Sequence, residues 1–363
     1  MIFVGAENIL SPLGKNAKTN FEALAAGQSG IRKLAGIGNR GEDLYVSSFG
    51  NINEFDLVQN TVFSIIDSLE QVDERKLEAG RTLLLLSTTK GEINRLMADD
   101  VEGARLDEFR KKVVSHFPWI TSSQVISNAC ISGVLALVVG HDLIVAGEYD
   151  HVIVSGADML SGFTIAGFQS FFAISDQKCQ PFDKKRTGIN LGEAAGTIIL
   201  SKDETLFDQL PFKLLGGSSA NDANHISGPS RTGEGLYRSI VKTLKVANIQ
   251  AAEVDFLSAH GTGTAYNDEM ESIAFERAGL LDTPLNSLKG FYGHTFGAAG
   301  IIESAVCLQS MRNSMMIGSE GFNEQGTSRS ITVLRKNEPK ILNVVLKTAS
   351  GFGGCNASLL FSK

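Results

Sequence analysis

Residues 192–202 read GEAAGTIILSK, and residues 351–363 read GFGGCNASLLFSK. Both run from a glycine-rich turn into a short apolar strand closed by Ser-Lys, so one structural element occurs twice. Working outward from this pair, further echoes fall in the same order along the chain. MIFVGAENIL (1–10) matches FKLLGGSSAN (212–221), and RTLLLLSTTKGEINRL (81–96) matches VDFLSAHGTGTAYNDEM (254–270). SNACISGVLALVVG (127–140) matches YGHTFGAAGIIESAVCL (292–308). The sequence therefore divides into two duplicated halves, 1–205 and 206–363, that join near 203–211.

Within each half, apolar runs too short for most helices, such as LLLLS, HVIVSGAD, VDFLSAHG and LNVVLKTA, alternate with helix-like stretches. Continuous apolar strands separated by helices predict buried sheets covered on both faces, an α/β fold. Two such halves, stacked, give an αβαβα layered sandwich. The helices after Cys130 and after His294 are apolar nearly all round, as a central layer requires. Both begin with small residues that permit close backbone approach. A pseudo-twofold axis relating the halves brings these two helix starts together.

Composition narrows the function classes. The 363 residues include 43% hydrophobic, 38 glycines and only 7 prolines, the profile of a compact soluble protein. The start, MIFVGAENILSPLG, lacks a basic n-region, and no window holds about 18 consecutive apolar residues. We read the chain as cytoplasmic, without a membrane partner. Four cysteines lie far apart with no C-x-x-C, so thiols are expected rather than disulfides or a zinc ribbon. A net charge of -7 argues against a nucleic-acid partner. Two basic triplets, Lys184 to Arg186 and Arg110 to Lys112, are either docking patches for an acidic partner or solvated surface.

Cys130, in SNACISG (127–133), stands between a predicted strand, QVIS, and a predicted helix. A sulfur at a helix N-terminus meets unpaired N–H groups and the positive end of the macrodipole, which favour a thiolate. Core filling is the other use of such a residue. His260 lies in SAHGTGTAYND, and His294 lies in KGFYGHTFGAAG, just ahead of the second small-residue helix. A lone histidine is commonly a structural hydrogen-bonder. Two of only six histidines at corresponding strand-end and helix-start positions, with Cys130 at the symmetric helix start, outline one site instead. Two neutral imidazoles can each donate an N–H to one carbonyl oxygen, which suits an enolate forming there. Zinc is another reading of one cysteine and two histidines, but no local ligand spacing supports it.

Lys289 stands five residues before His294 and Glu303 nine after it, so the two can pair across the turn; surface charge is the alternative. Asp268 follows closely on the His260 loop. Thr262 and Thr264 place hydroxyls where they can bind a linear amide-bearing arm or cap the next helix. The turn SGFGGCNA offers unobstructed backbone N–H groups which, with that of Cys130, can form an oxyanion hole. Phe163, Phe168, Phe171 and Phe172 either line an apolar tunnel or pack a core.

Together these residues make the chain resemble a β-ketoacyl-acyl carrier protein synthase of the decarboxylating, Cys-His-His kind, with a thiolase-like fold. The resemblance covers nearly the whole chain: ILSPLG, SNACISG, PFDKKRTGINLGEAAG, NDANHISGP, SAHGTGTAYND, SLKGFYGHTFGAAGIIE and GFGGCNASLLF, in the family's order. It implies decarboxylative condensation of an acyl group on Cys130 with malonyl-acyl carrier protein, in fatty acid, polyene or polyketide biosynthesis. By the same resemblance, His260 and His294 are the catalytic imidazoles, and Lys289, Glu303 and Asp268 support them. The N–H groups of Cys130 and Phe352 form the oxyanion hole. Thr262, Thr264, Phe168, Phe352 and Ile131 contact substrate, and Arg186 contacts the carrier. The resemblance implies no metal or organic cofactor; its expected partners are acyl carrier protein and a second subunit, in a homodimer or a heterodimer. A non-condensing, chain-length-factor-like subunit is an alternative, as is a biosynthetic thiolase using Cys355. The sequence departs from the family at Asn128, at Ala265, at Thr348 to Ser350, and in a much shortened stretch from Thr89 to Thr121.

Overall fold

The computed structural model describes all residues except 53 and 227, so Ser227 of the NDANHISGP motif lies outside the described residues. Ten strands form the main sheet. In the first half they are β1 (Ile2–Leu10), β2 (Thr82–Ser87), β3 (Ser122–Ile126), β4 (His151–Asp158) and β5 (Ala194–Ser201). Their counterparts are β6 (Phe212–Asn221), β7 (Phe256–Ser258), β8 (Leu285–Asn286), β9 (Val344–Gly351) and β10 (Cys355–Ser362). The spatial order is β8-β7-β9-β10-β6-β1-β5-β4-β2-β3. Counted from its own first strand, each half runs first, fifth, fourth, second, third. Directions repeat too: in each half the first, fifth and fourth strands pair antiparallel, whereas the second pairs parallel with both the fourth and the third. The halves meet where β1 and β6 pair antiparallel, Ile2 opposite Leu214 and Val4 opposite Phe212.

Helices α1 (Leu57–Leu69), α2 (Ser132–Val145), α3 (Gly162–Ser170), α4 (Glu234–Ala247), α5 (Ala265–Arg277) and α6 (Ala299–Asn313) complete the layers. α1 packs on β1, β4 and β5, while α4 packs on β6, β9 and β10. α2 and α6 lie between, each touching strands of both halves as well as each other. That is the αβαβα arrangement. The all-round apolar character of α2 and α6 follows, because a helix packed between the strands of the two halves has no wet face. Val134, Ala136, Leu137, Ile301, Ile302, Ala305 and Leu308 share one buried cluster there.

The crossing of α2 and α6 is a backbone contact. A Cβ on Gly133 would lie 2.9 Å from both the Gly297 carbonyl oxygen and the Ile301 nitrogen. Gly300 is in the same position against Val134 and Gly133. Since neither main chain can yield, Gly300→Ala should lower unfolding free energy by at least about 3 kcal/mol. Gly162→Ala, with no neighbour within 4 Å, should leave it nearly unchanged; denaturant midpoints of the two variants test this. The crossing also sets the site, because Cys130 and His294 immediately precede these two helices.

Candidate active site

The turn from β3 into α2 is sharp. Ala129 takes a left-handed φ of 44°, and the Asn128 amide donates to Ser132 Oγ (2.8 Å), which donates to the Ala129 carbonyl (2.6 Å). This pinned turn directs the Cys130 side chain into a cavity of about 500 Å³ whose walls include Phe168, Phe171, Thr262, Thr264 and Phe352. Ile131 is buried in the core at 1% exposure. It packs in the buried apolar cluster around α2 and is not among the residues that wall this cavity.

His294 is set by an equally tight turn. Gly293 has φ 63° and ψ -169°, a conformation open essentially to glycine alone. The His294 amide donates to the Asn190 carbonyl (2.7 Å), and the Gly192 amide donates to the His294 carbonyl (2.9 Å). His260 follows β7, held from below by α5. Glu271 accepts from the amides of His260 (2.8 Å) and Gly261 (2.6 Å). Asp268, one turn earlier on the same helix, accepts from Thr262 (2.9 Å), Gly263 (3.2 Å) and Phe182 (2.7 Å). Two carboxylates three residues apart thus fix the HGTG backbone. The sequence reading named Asp268 and missed Glu271; NDEME, with acids at that spacing after the loop, was the available signal.

One ligand atom from each of Cys130, His260 and His294 lies within 4.8 Å of the other two, and all three residues are buried. The imidazole rings meet edge to face at 5.3 Å between centroids. Desolvation holds both histidines well below the ordinary imidazole range, and the Lys289 ammonium pushes both further down. Both are therefore neutral. Neither nitrogen of His294, nor Nδ1 of His260, finds a hydrogen-bond partner among the described residues. The same donor set could geometrically hold zinc. It sits, however, in the field of Lys289 and Lys90, which opposes a dication.

Burial pushes the Cys130 thiol up to about 11, against the pull of the Phe352 amide, Lys289 and Lys90. The helix start favours the thiolate, while desolvation of the buried sulfur favours the thiol. Phe352 brings its N–H to the sulfur from the Gly351–Gly354 turn. That turn approaches so closely that a Cβ on Gly351 would fall 3.0 Å from the Cys130 nitrogen. The amides of Cys130 and Phe352 therefore flank the sulfur. Cys355 lies behind the turn, donating to the Phe352 carbonyl at 3.2 Å, its thiol pushed up to about 12 by burial.

Lys289 and Glu303 form an ion pair with no more than 3% exposure on either side chain. A second lysine, Lys347 of β9, lies 2.7 Å from the other carboxylate oxygen. Burial pushes Glu303 up, but the two ammonium groups outweigh it and hold the acid below its ordinary value. Phe168 stacks on Phe352 at 5.3 Å and packs against Phe296 at 5.6 Å, and Phe171 meets Phe352 edge-on at 5.4 Å. Phe172 also lines the cavity, at its exposed end, whereas Phe163 lies on the surface outside it. Thr262 and Thr264 share a 2.9 Å hydroxyl contact on the opposite wall.

The basic triplets offer less than their sequence suggests. Arg186 has a side chain 9% exposed, donating to the Asp183 (2.9 Å) and Gly326 (2.8 Å) carbonyls. It braces loops. Lys184 pairs with Glu324, Arg110 with Asp107, Lys111 with Glu108 and Lys112 with Glu92.

A buried cysteine at a helix start facing two neutral imidazoles, in this doubled fold, defines a condensing, acyl-transferring centre. Comparison with known proteins agrees. Family models for the beta-ketoacyl synthase N-terminal and C-terminal domains match residues 114–205 and 213–323. The putative mitochondrial 3-oxoacyl-[acyl-carrier-protein] synthase of Schizosaccharomyces pombe is 26% identical over 98% of this chain and 97% of its own length. The 3-oxoacyl-[acyl-carrier-protein] synthase 2 of Rhizobium meliloti is 31% identical over 65% of this chain and 59% of its own. Among solved structures, a chain from the Xenorhabdus doucetiae ketosynthase complex with its chain length factor superposes with a TM-score of 0.87. It is 26% identical and covers 99% of this chain and 97% of the other. The chain belongs to the beta-ketoacyl synthase family of the thiolase-like superfamily, and it is a condensing acyltransferase.

Proposed function

We propose that the protein joins an acyl group held on Cys130 to a malonyl unit on an acyl carrier protein, releasing carbon dioxide and a 3-oxoacyl carrier thioester. One observation carries this reading: Cys130 and two neutral imidazoles converge at the inner end of a cavity walled by aromatic rings on one side and threonine hydroxyls on the other. The acyl carbon first passes from the carrier thiol to Cys130, whose proton leaves with the departing thiol. Malonyl thioester then enters, its arm against Thr262 and Thr264 and its acyl neighbour against Phe168. His260 and His294 donate N–H bonds to the thioester oxygen as the carbon–carboxylate bond breaks and its electron pair forms the enolate. That carbanion attacks the Cys130 thioester, and the amides of Cys130 and Phe352 hold the oxyanion until the carbon–sulfur bond breaks.

Lys289, Glu303 and Asp268 support the imidazoles in this scheme, with residues 1–205 supplying the cysteine and 206–363 both histidines. No metal or organic cofactor enters any step. No helix among the described residues is long and apolar enough to cross a membrane. The protein's partner subunit is a second copy or a related chain. The test is to incubate the protein with acyl and malonyl carrier proteins, following carbon dioxide and the mass of the Cys130 peptide. An acylated Cys130 and a 3-oxoacyl product are expected. Neither acylation nor condensation, alone or with a related partner subunit, would sink the proposal.

A further inference from the structure

Lys347 is the lysine of LNVVLKTA, on a strand that is buried at every position from Val345 to Ser350. Its exposure is zero. Besides the 2.7 Å ion-pair contact with Glu303 Oε2, the ammonium donates to the carbonyl oxygens of Ser258 and Ala259, each at 3.3 Å. These two carbonyls close β7 and immediately precede His260. The other oxygen of Glu303 holds Lys289. One carboxylate on α6 is thereby shared by two ammonium groups, and the second of these grips the strand end that carries a proposed catalytic imidazole. A buried ammonium persists only where its donors are satisfied, and here three oxygens surround it.

We propose that Lys347 is a positioning residue for the decarboxylation step, bolting the backbone that carries His260 to Glu303 and, through Glu303, to Lys289. The inference rests on the decarboxylating reading of the site. It has a second consequence, because the fixed positive charge also bears on the imidazole. The groups acting on His260 are Lys289, His294 and Lys347, which oppose its protonation, with Cys130 at its face and Glu271 holding its amide. Glu303 lies between the two lysines and offsets part of their charge.

The test compares Lys347→Met, which removes both charge and donors, with Lys347→Gln, which keeps an amide donor but no charge. Carbon dioxide release from malonyl carrier protein gives kcat and KM, and NMR titration follows the His260 ring, assigned by its loss in His260→Ala. In Lys347→Met, kcat should fall on the order of tenfold with KM nearly unchanged, as expected for displaced catalytic geometry. His260 should begin to protonate at higher pH in both variants, and Lys347→Gln should keep more of kcat. A folded Lys347→Met with wild-type kcat and an unmoved His260 titration would overturn the inference. If the first variant does not fold, Lys347→Gln decides by the same two readouts. Should the wild-type protein release no carbon dioxide, the decarboxylating reading fails, while the titration still reports whether Lys347 governs His260.

Discussion

Cys130→Ala should lower condensation by at least about 10⁴-fold, because the covalent acyl acceptor disappears and no other thiol can replace it. The next sulfur, Cys355, lies behind the Gly351–Gly354 turn with its proton committed to the Phe352 carbonyl. Release of carbon dioxide from malonyl carrier protein should persist in the same variant, since the imidazoles that hold the thioester oxygen are untouched. The two assays together separate acyl acceptance from decarboxylation. Loss of both in a folded Cys130→Ala would show that the sulfur takes part in decarboxylation, contrary to the scheme. Cys355→Ser, by contrast, should keep condensation; its loss would revive the two-cysteine thiolase chemistry. With burial pushing the wild-type Cys130 thiol up to about 11, roughly one molecule in ten thousand holds a thiolate at pH 7. Alkylation by iodoacetamide should therefore be slow at neutral pH and climb towards that value. Acyl transfer must move the proton off sulfur during the step itself, and a neutral imidazole within 4.8 Å is placed to accept it.

Duplication is what made so much of this legible in one sequence. Once GEAAGTIILSK and GFGGCNASLLFSK are paired, strand order in one half dictates strand order in the other, and the starts of α2 and α6 must meet. Cys130 and His294 then come together without any local motif linking them. The Lys289–Glu303 pair was readable from spacing about the same turn. What escaped depended on which way a side chain faces or on contacts between distant segments. Ile131 adjoins Cys130 in sequence, yet Cys130 lines the cavity and Ile131 is buried in the core. Arg186 belongs to a basic triplet that reads as surface, but its guanidinium folds inward to satisfy two loop carbonyls. A helix start near Cys130 was visible, whereas the burial that raises its thiol depends on how distant segments pack around the sulfur. Lys347 looks like any lysine in a short strand until Ser258, Ala259 and Glu303 converge on it from two other elements.

His260→Ala and His294→Ala should each reduce carbon dioxide release by about 10²–10³-fold, the effect of deleting one preorganised donor to a developing oxyanion. Losses in the double variant should fall short of the product of the two, because both imidazoles serve one oxygen. Acylation of Cys130 should suffer less, and mass measurement of the Cys130 peptide in each variant shows whether the two half-reactions separate. Both rings must be neutral for this scheme. A protonated imidazole at either position could not accept the Cys130 proton, and it would stand beside Lys289 in a site already rich in positive charge. Desolvation and that lysine keep both histidines well below 6.5, so wild-type decarboxylation should stay level as pH falls from 7 to 6, where an ordinary imidazole would be largely protonated. Stability has the opposite exposure to acid. In the unfolded chain both rings take up protons below about 6.5 while the folded site refuses them, so stability present above that value drains away as pH falls. Replacing either histidine by alanine removes one such group, and the acid-side loss of stability should become shallower even as catalysis disappears. Urea midpoints measured at pH 7 and pH 5 for wild type and both variants test this. An acid slope unchanged by either substitution would mean that the folded site protonates its imidazoles as readily as the unfolded chain does, and the two-donor scheme would fall with it.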